Sequence, residues 1–325
     1  MKDRPSTAQQ IKRIALIVVV ILAVAGAYRA FNLADRLKNI GYRTPAEIVT
    51  LSDKIQLTSR AKVIFNATRP QLDDRDAFNE HCKSNDIHIS ILGCYIDDTI
   101  YLYNIHSTEL DGVVESTAAH ELLHAVWARL NFWEKSNLQD ELLSVYQQHY
   151  ALLAGDMELY DDEDKLDELH SRVGVEIKDL PEKLESHYAK YFIDQDSVVA
   201  FYDAYSEPFK RLSAEIDALS AELEIMRSDI DAQTADYYQQ AESLSARIDE
   251  FNNCASTIGC FTDEAEFYAQ RNQLVAEQEA LMAVYEELNT QVEAYNQKVE
   301  QHNNNILHTQ TLENAINSNA PPDAI

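Results

Sequence analysis

Apolar residues in the last third of the chain recur at alternating steps of three and four. Phe209, Leu212, Ile216, Leu219, Leu223, Met226 and Ile230 keep that rhythm, the heptad seam of a helix lying lengthwise on another. Tyr237, Ala241, Leu244, Ile248 and Phe251 resume it after a shift, as a stutter does. The stretch NNCASTIGC interrupts the pattern. Asp263 then stands three residues before Glu266, the spacing of a capping box, and predicts a new helix start. Leu274, Leu281, Val284, Leu288, Val292, Tyr295, Val299 and Ile306 form a second seam. Two seams joined by a short loop predict an antiparallel helical hairpin over 201–317. A parallel two-chain coiled coil is the alternative. The tail 318–325, ending in APPDAI, reads as disordered.

The middle of the chain has a different period. In DIHISILGCYIDDTIYLYNIH, Ile- and Tyr-rich runs flank Asp97-Asp98. That predicts a hairpin of two strands, 87–96 and 99–105. The run KVIFNAT at 62–68 reads as a further strand, and helices follow from Gly112 onward. Residues 41–200 are therefore expected to form a mixed, mostly helical α+β domain.

The first residues show no amphipathic period. An apolar run from Ile14 to Tyr28 follows Lys2, Arg4, Lys12 and Arg13. It is shorter than the roughly 18–20 residues of a full span, but apolar character continues to Phe31. A cleavable signal peptide and a retained signal anchor both fit. The absence of a polar segment before the Ala-x-Ala sites favours the anchor. Residues 1–40 are thus read as anchor and stalk, with the rest of the chain exported to the periplasmic or extracellular side of a membrane.

Composition supports this picture. Only 7 Gly and 7 Pro in 325 residues argue against a turn-rich all-β protein. A formal net charge of −28 disfavours nucleic acid as a partner. The four cysteines fall into two local pairs, Cys82/Cys94 and Cys254/Cys260. Short loops favour disulfides within each pair, and an exported chain meets an oxidising compartment. No pair has C-x-x-C spacing, so cysteine-held zinc is not expected.

The chemistry centres on TAAHELLHAVW, residues 117–127. On a helix, His120 and His124 lie one above the other on one face and can both reach one ion. Glu121, about 100° round the helix, is placed to reach a water beside that ion rather than to bind it. Ala118, Ala119, Leu122, Leu123, Ala125 and Val126 make the helix apolar around the motif, as a helix at the floor of a cleft requires. The acidic run YDDEDKLDE at 160–168 lacks the mid-loop Gly of a calcium-binding EF-hand and reads as a solvated helix face.

AAHELLHAVW resembles the active-site helix of the zincin metallopeptidases, and the resemblance covers roughly residues 85–190. It implies a Zn2+ ion held by His120 and His124, with Glu121 as general base for hydrolysis of a protein or peptide substrate. It also implies a substrate-binding edge strand before the helix, a place that Thr99–Ile105 matches in order. No His-x-x-Gly-x-x-His pattern follows, so the metzincin subclass is disfavoured. The gluzincin pattern needs a glutamate on a later helix, with a small residue three places on. Glu168 with Ser171 fits that best; Glu176, Glu185 and His170 are rivals. His170, His187 and Tyr188 are candidates to stabilise an oxyanion. The expectation is an anchored, exported zinc metallopeptidase whose hairpin could engage a protein partner. The alternative is an envelope scaffold in which the hairpin is the working part and the zincin-like domain is inactive.

Overall fold

The computed structural model describes residues 33–82, 91–157 and 164–319, with Leu16 and Tyr160 besides. Apart from Leu16, the apolar run of the expected anchor, the 87–90 portion of the first strand and the tail from 320 lie outside the described residues. Among those described, no helix is long and apolar enough to cross a membrane. The fold is mostly helical, with one small sheet and two long helices. It divides into two compact units. One holds residues through Pro208 together with those from Leu312, and the other spans Phe209–Thr311.

After a helical stretch at 33–38, the first unit continues with α1 (Ala46–Lys54) and α2 (Ser59–Ala67). The sequence had placed a strand at 62–68, and the structure makes it helix. Thr58 caps α2 by accepting the Ala61 N–H. Ala61, Ile64 and Phe65 then fall at helical spacing and are buried, so the β-like composition is overridden by a helical stripe. Three strands follow: β1 (Gln71–Asp73), then β2 (Gly93–Ile96) and β3 (Thr99–Tyr103), with α3 (Arg75–His81) between the first two. The sheet order is β1-β3-β2, with β1 parallel to β3 and β2 antiparallel to it. Asp97 and Asp98 both take positive φ, 50° and 60°, which is what a two-residue hairpin turn requires. A disulfide links Cys82, at the end of α3, to Cys94 in β2.

Helix α4 (Val113–Arg129) carries the histidine motif and runs through the centre of the core. Ala118, Ala119, Leu122, Leu123 and Ala125 are fully buried. Gly112 precedes it at φ 95°, where a Cβ would stand 2.6 Å from the Phe201 carbonyl oxygen. Helices α5 (Phe132–Gln148), α6 (Tyr150–Met157), α7 (Lys165–Glu176) and α8 (Glu182–Tyr188) share one hydrophobic core with α4. Helix α7 lies closest. A Cβ on Gly174 would meet Leu123 Cδ1 at 2.4 Å, and Ser171 is fully buried. Small residues on α7 thus let it approach the motif helix. Past α10, Ser318 is buried rather than disordered, and its carbonyl accepts a hydrogen bond from Asn79 at 2.6 Å.

The second unit is built from most of α9 (Gln195–Ala255) and α10 (Glu264–Ile316). The two run antiparallel, as the cross-pairs show: Glu215 with Asn305, Glu222 with Lys298, Gln233 with Gln291, and Arg247 with Glu277. Asp263 caps α10 by accepting the Glu266 N–H, and a Cys254–Cys260 disulfide lies in the connection. The seam differs from the expected one on α10. Gln291, Lys298 and Asn305 face α9, while Val292 is 40% exposed. Leu274, Leu281, Leu288 and Tyr295 keep the expected seam, and at its alternate positions Gln291, Lys298 and Asn305 stand in place of the expected Val292, Val299 and Ile306.

Candidate metal centre

His120 and His124 project from one face of α4, and Glu168 from α7 meets them. The two Nε2 atoms are 3.0 Å apart, and Glu168 Oε2 is 3.7 Å from the first and 3.4 Å from the second. One ligand atom from each residue falls within a 4.8 Å cluster, able to hold a metal ion. A four-coordinate ion bonded at 2.0–2.1 Å holds its donors about 3.3 Å apart, so the set fits such an ion. The histidine side chains are about one-fifth exposed and reachable from a cleft.

The other proposed third ligands stand outside that cluster, although Glu176 also lines the cleft. Glu176 is held by Arg172, which donates to both carboxylate oxygens at 2.7 and 2.9 Å. Glu185 is exposed on α8. His170 is buried behind α4, its Nε2 2.9 Å from His187 Nε2. The oxyanion candidates also lie away from the cleft. Tyr188 donates its hydroxyl proton to the His170 carbonyl, and none of His170, His187 and Tyr188 lines the cleft.

Asp167 is the residue that the sequence reading missed. Its Oδ1 lies 2.8 Å from His124 Nδ1. A proton on Nδ1 donated to that carboxylate leaves Nε2 with its lone pair toward the cluster, the arrangement that orients a metal-binding histidine. Asp167 belongs to the acidic run that reads as solvated, and only its place beside Glu168 singles it out.

Electrostatics follow from this crowding. Burial pushes the Glu121 carboxyl up, while His124 and His120 pull it down less strongly. Burial disfavours charge on His124, but hydrogen bonds to Asp167 and Glu168 outweigh it and raise the pKa to about 10. Burial likewise opposes charge on Glu168, yet the two histidines hold it well below the usual carboxylate range. The site keeps negative charge beside its imidazoles and so favours a cation.

The cleft has a volume of about 540 Å³ and is bordered by Gly93, Cys94 and Tyr95 of β2. A Cβ on Gly93 would lie 2.6 Å from Thr117 Cγ2 and 2.9 Å from Glu121 Oε1. The missing side chain lets β2 press against the motif helix beside Glu121. The edge strand at the cleft is therefore β2, and not the segment 99–105. That segment forms the central strand β3, both of whose edges are taken by β1 and β2. The far end of β2 is anchored by Arg129, which donates to Asp98 at 2.8 Å and to the Tyr95 hydroxyl at 3.2 Å, and pairs with Asp35. Tyr95 is pushed up to about 12 by burial and by its bond to Asp98.

No family model, no curated protein and no solved structure matches the chain. The arrangement of its own side chains is what speaks for its function.

Proposed function

We propose that the chain is an exported, membrane-anchored metallopeptidase of the zincin type that hydrolyses peptide bonds with zinc as its ion. The observation that carries this reading is the meeting of His120, His124 and Glu168 donors beside a buried Glu121 at the wall of an open cleft. Two imidazoles and one carboxylate form a donor set that suits zinc and leaves a position open. When bound, the ion supplies Lewis acidity to a water and to the scissile carbonyl.

The chain's own groups do the rest. Asp167 fixes the ring of His124. The Glu121 carboxylate takes the proton of the attacking water and returns it to the leaving nitrogen. Its burial keeps bulk water from competing and lifts its basicity toward that task. The outer edge of β2 offers backbone N–H and C=O groups to an extended peptide, which would add as a further strand. The two disulfides agree with an oxidising compartment outside the cytosol.

The test is zinc content by elemental analysis together with cleavage of an extended reporter peptide. Glu121→Gln is expected to keep the metal and lose about 10²–10⁴-fold in turnover. His120→Ala is expected to lose the metal. Full activity in the glutamine variant overturns the reading. The rival reading, a scaffold working through its hairpin, gains if His120→Ala leaves cellular function intact while deletion of 205–312 abolishes it.

A further inference from the structure

Helix α10 has an apolar strip that its own hairpin covers only in part, where Tyr285 meets the Tyr237 ring of α9 at 5.8 Å. Its seam toward α9 runs through Leu274, Leu281, Leu288 and Tyr295, none of them exposed. The positions one and four residues after each seam residue form a separate strip along the helix, from Tyr268 to Ile306. Five large apolar side chains on it are exposed: Tyr268, Val275, Met282, Tyr285 and Val292, with Met282 at 66%.

Acidic residues are absent from this strip, whose one formal charge is Arg271. Between Tyr268 and Ile306 the helix carries Glu277, Glu279, Glu286, Glu287, Glu293 and Glu300. None of them falls on the strip, although the whole chain has a net charge of −28. A solvated helix in so acidic a protein has no reason to exclude acids from one face over this length. A helix that docks by that face does, since like charges meeting across an interface are destabilising.

The order of residues along the strip says what docks. Reversed about its midpoint, the strip matches itself. Tyr268 falls opposite Ile306, Val275 opposite Val299, and Met282 opposite Val292. The polar positions also meet one another, Arg271 with Asn303 and Gln278 with Asn296. Only Tyr285 with Asn289 is mixed, and a tyrosine carries an apolar ring and a polar tip. Such self-matching is what a twofold, isologous contact demands. The strip is about 57 Å long at the helical rise and about 10 Å wide. It would cover roughly 600 Å² on each copy, at the lower end of stable interfaces.

We propose that two copies of this chain associate through α10, helix against helix and antiparallel, about an axis beside Glu287. The partner is a second copy, and the contact is independent of any metal. The pairing turns each hairpin from two helices into half of a four-helix layer. Because both chains are strongly acidic, their net charges oppose the contact, and association strengthens as salt screens them.

Sedimentation of the full chain in density-matched detergent tests this. A dimer is expected at about 10 μM chain, tighter at higher ionic strength. Met282→Glu with Val292→Glu buries two charges per copy and is expected to weaken the dimer at least about 100-fold. Met282→Leu with Val292→Ile keeps it. Disulfide trapping tests the register without relying on the charged variant's folding. A mixture of Gln278→Cys and Asn296→Cys chains crosslinks between copies, and Gln278→Cys alone does not. A wild-type chain that stays monomeric overturns the proposal. So does a charged variant that remains helical and dimeric, or efficient crosslinking of Gln278→Cys to itself.

Discussion

Asp167 shows how much a single neighbouring side chain adds to the site. Its carboxylate meets His124 Nδ1, and a proton held there leaves Nε2 free to face an ion. Asp167→Asn preserves shape but removes the charge. It is expected to weaken zinc about 10–100-fold in competition with a chromophoric chelator, while leaving the helix content unchanged. Glu168→Gln should cost more, and Glu185→Gln should cost nothing. His120, Glu121 and His124 were legible because one helical turn fixes their relation. The third donor was legible only as a short set of rivals. Which of Glu168, Glu176 and His170 faces the cluster depends on the rotation of α7, and burial of Ser171 and Gly174 against α4 sets that rotation. Sequence spacing offers no handle on it.

At the scale of elements, the helices at the motif and in the hairpin followed from their periods, and the sheet did not. Residues 62–68 are helical because Thr58 caps them and a buried stripe continues from Ala61. A seven-residue window hides both causes. The two-strand hairpin round Asp97-Asp98 was readable from its turn, but the sheet order was not. Only the parallel pairing of β1 with β3, which is non-local, pushes β2 to the edge. Gly93 then becomes the contact between the edge strand and Glu121. Gly93→Ala is expected to cost about 1–3 kcal/mol in a urea titration, from forced displacement of β2 or Thr117. It should lower peptide turnover about 10²-fold through misplacement of Glu121 while zinc stays bound. Equal losses of zinc and of turnover would argue against this role for the strand. On α10, the expected positions Leu274, Leu281, Leu288 and Tyr295 keep the seam, while the Gln233–Gln291 and Glu222–Lys298 pairs displace Val292 and Val299 at the alternate positions.

For the whole molecule, stability should depend on pH through a pair of imidazoles that the chemistry does not use. Burial, then Lys190 and Arg60, pushes His187 down to about 3, and His170, in contact with it, is also held well below its ordinary value by burial. An unfolded histidine titrates near 6.5. Between those values the unfolded chain binds a proton that the folded chain refuses. The stabilisation is therefore complete above about pH 6.5 and is lost as pH falls toward about 3. His187 alone accounts for about 2 kcal/mol between pH 7 and pH 5. Urea midpoints at the two values measure it, and His187→Gln should flatten the difference by that amount.

The Cys82–Cys94 bond has a consequence in time. It ties α3 to the strand that borders the cleft, one residue from Gly93. The helices that bring His120, His124 and Glu168 together contain no cysteine, so they can assemble as soon as the chain collapses. The brace on β2 closes only where thiols are oxidised. The wall of the cleft is thus the part of the site whose firmness depends on an oxidising compartment.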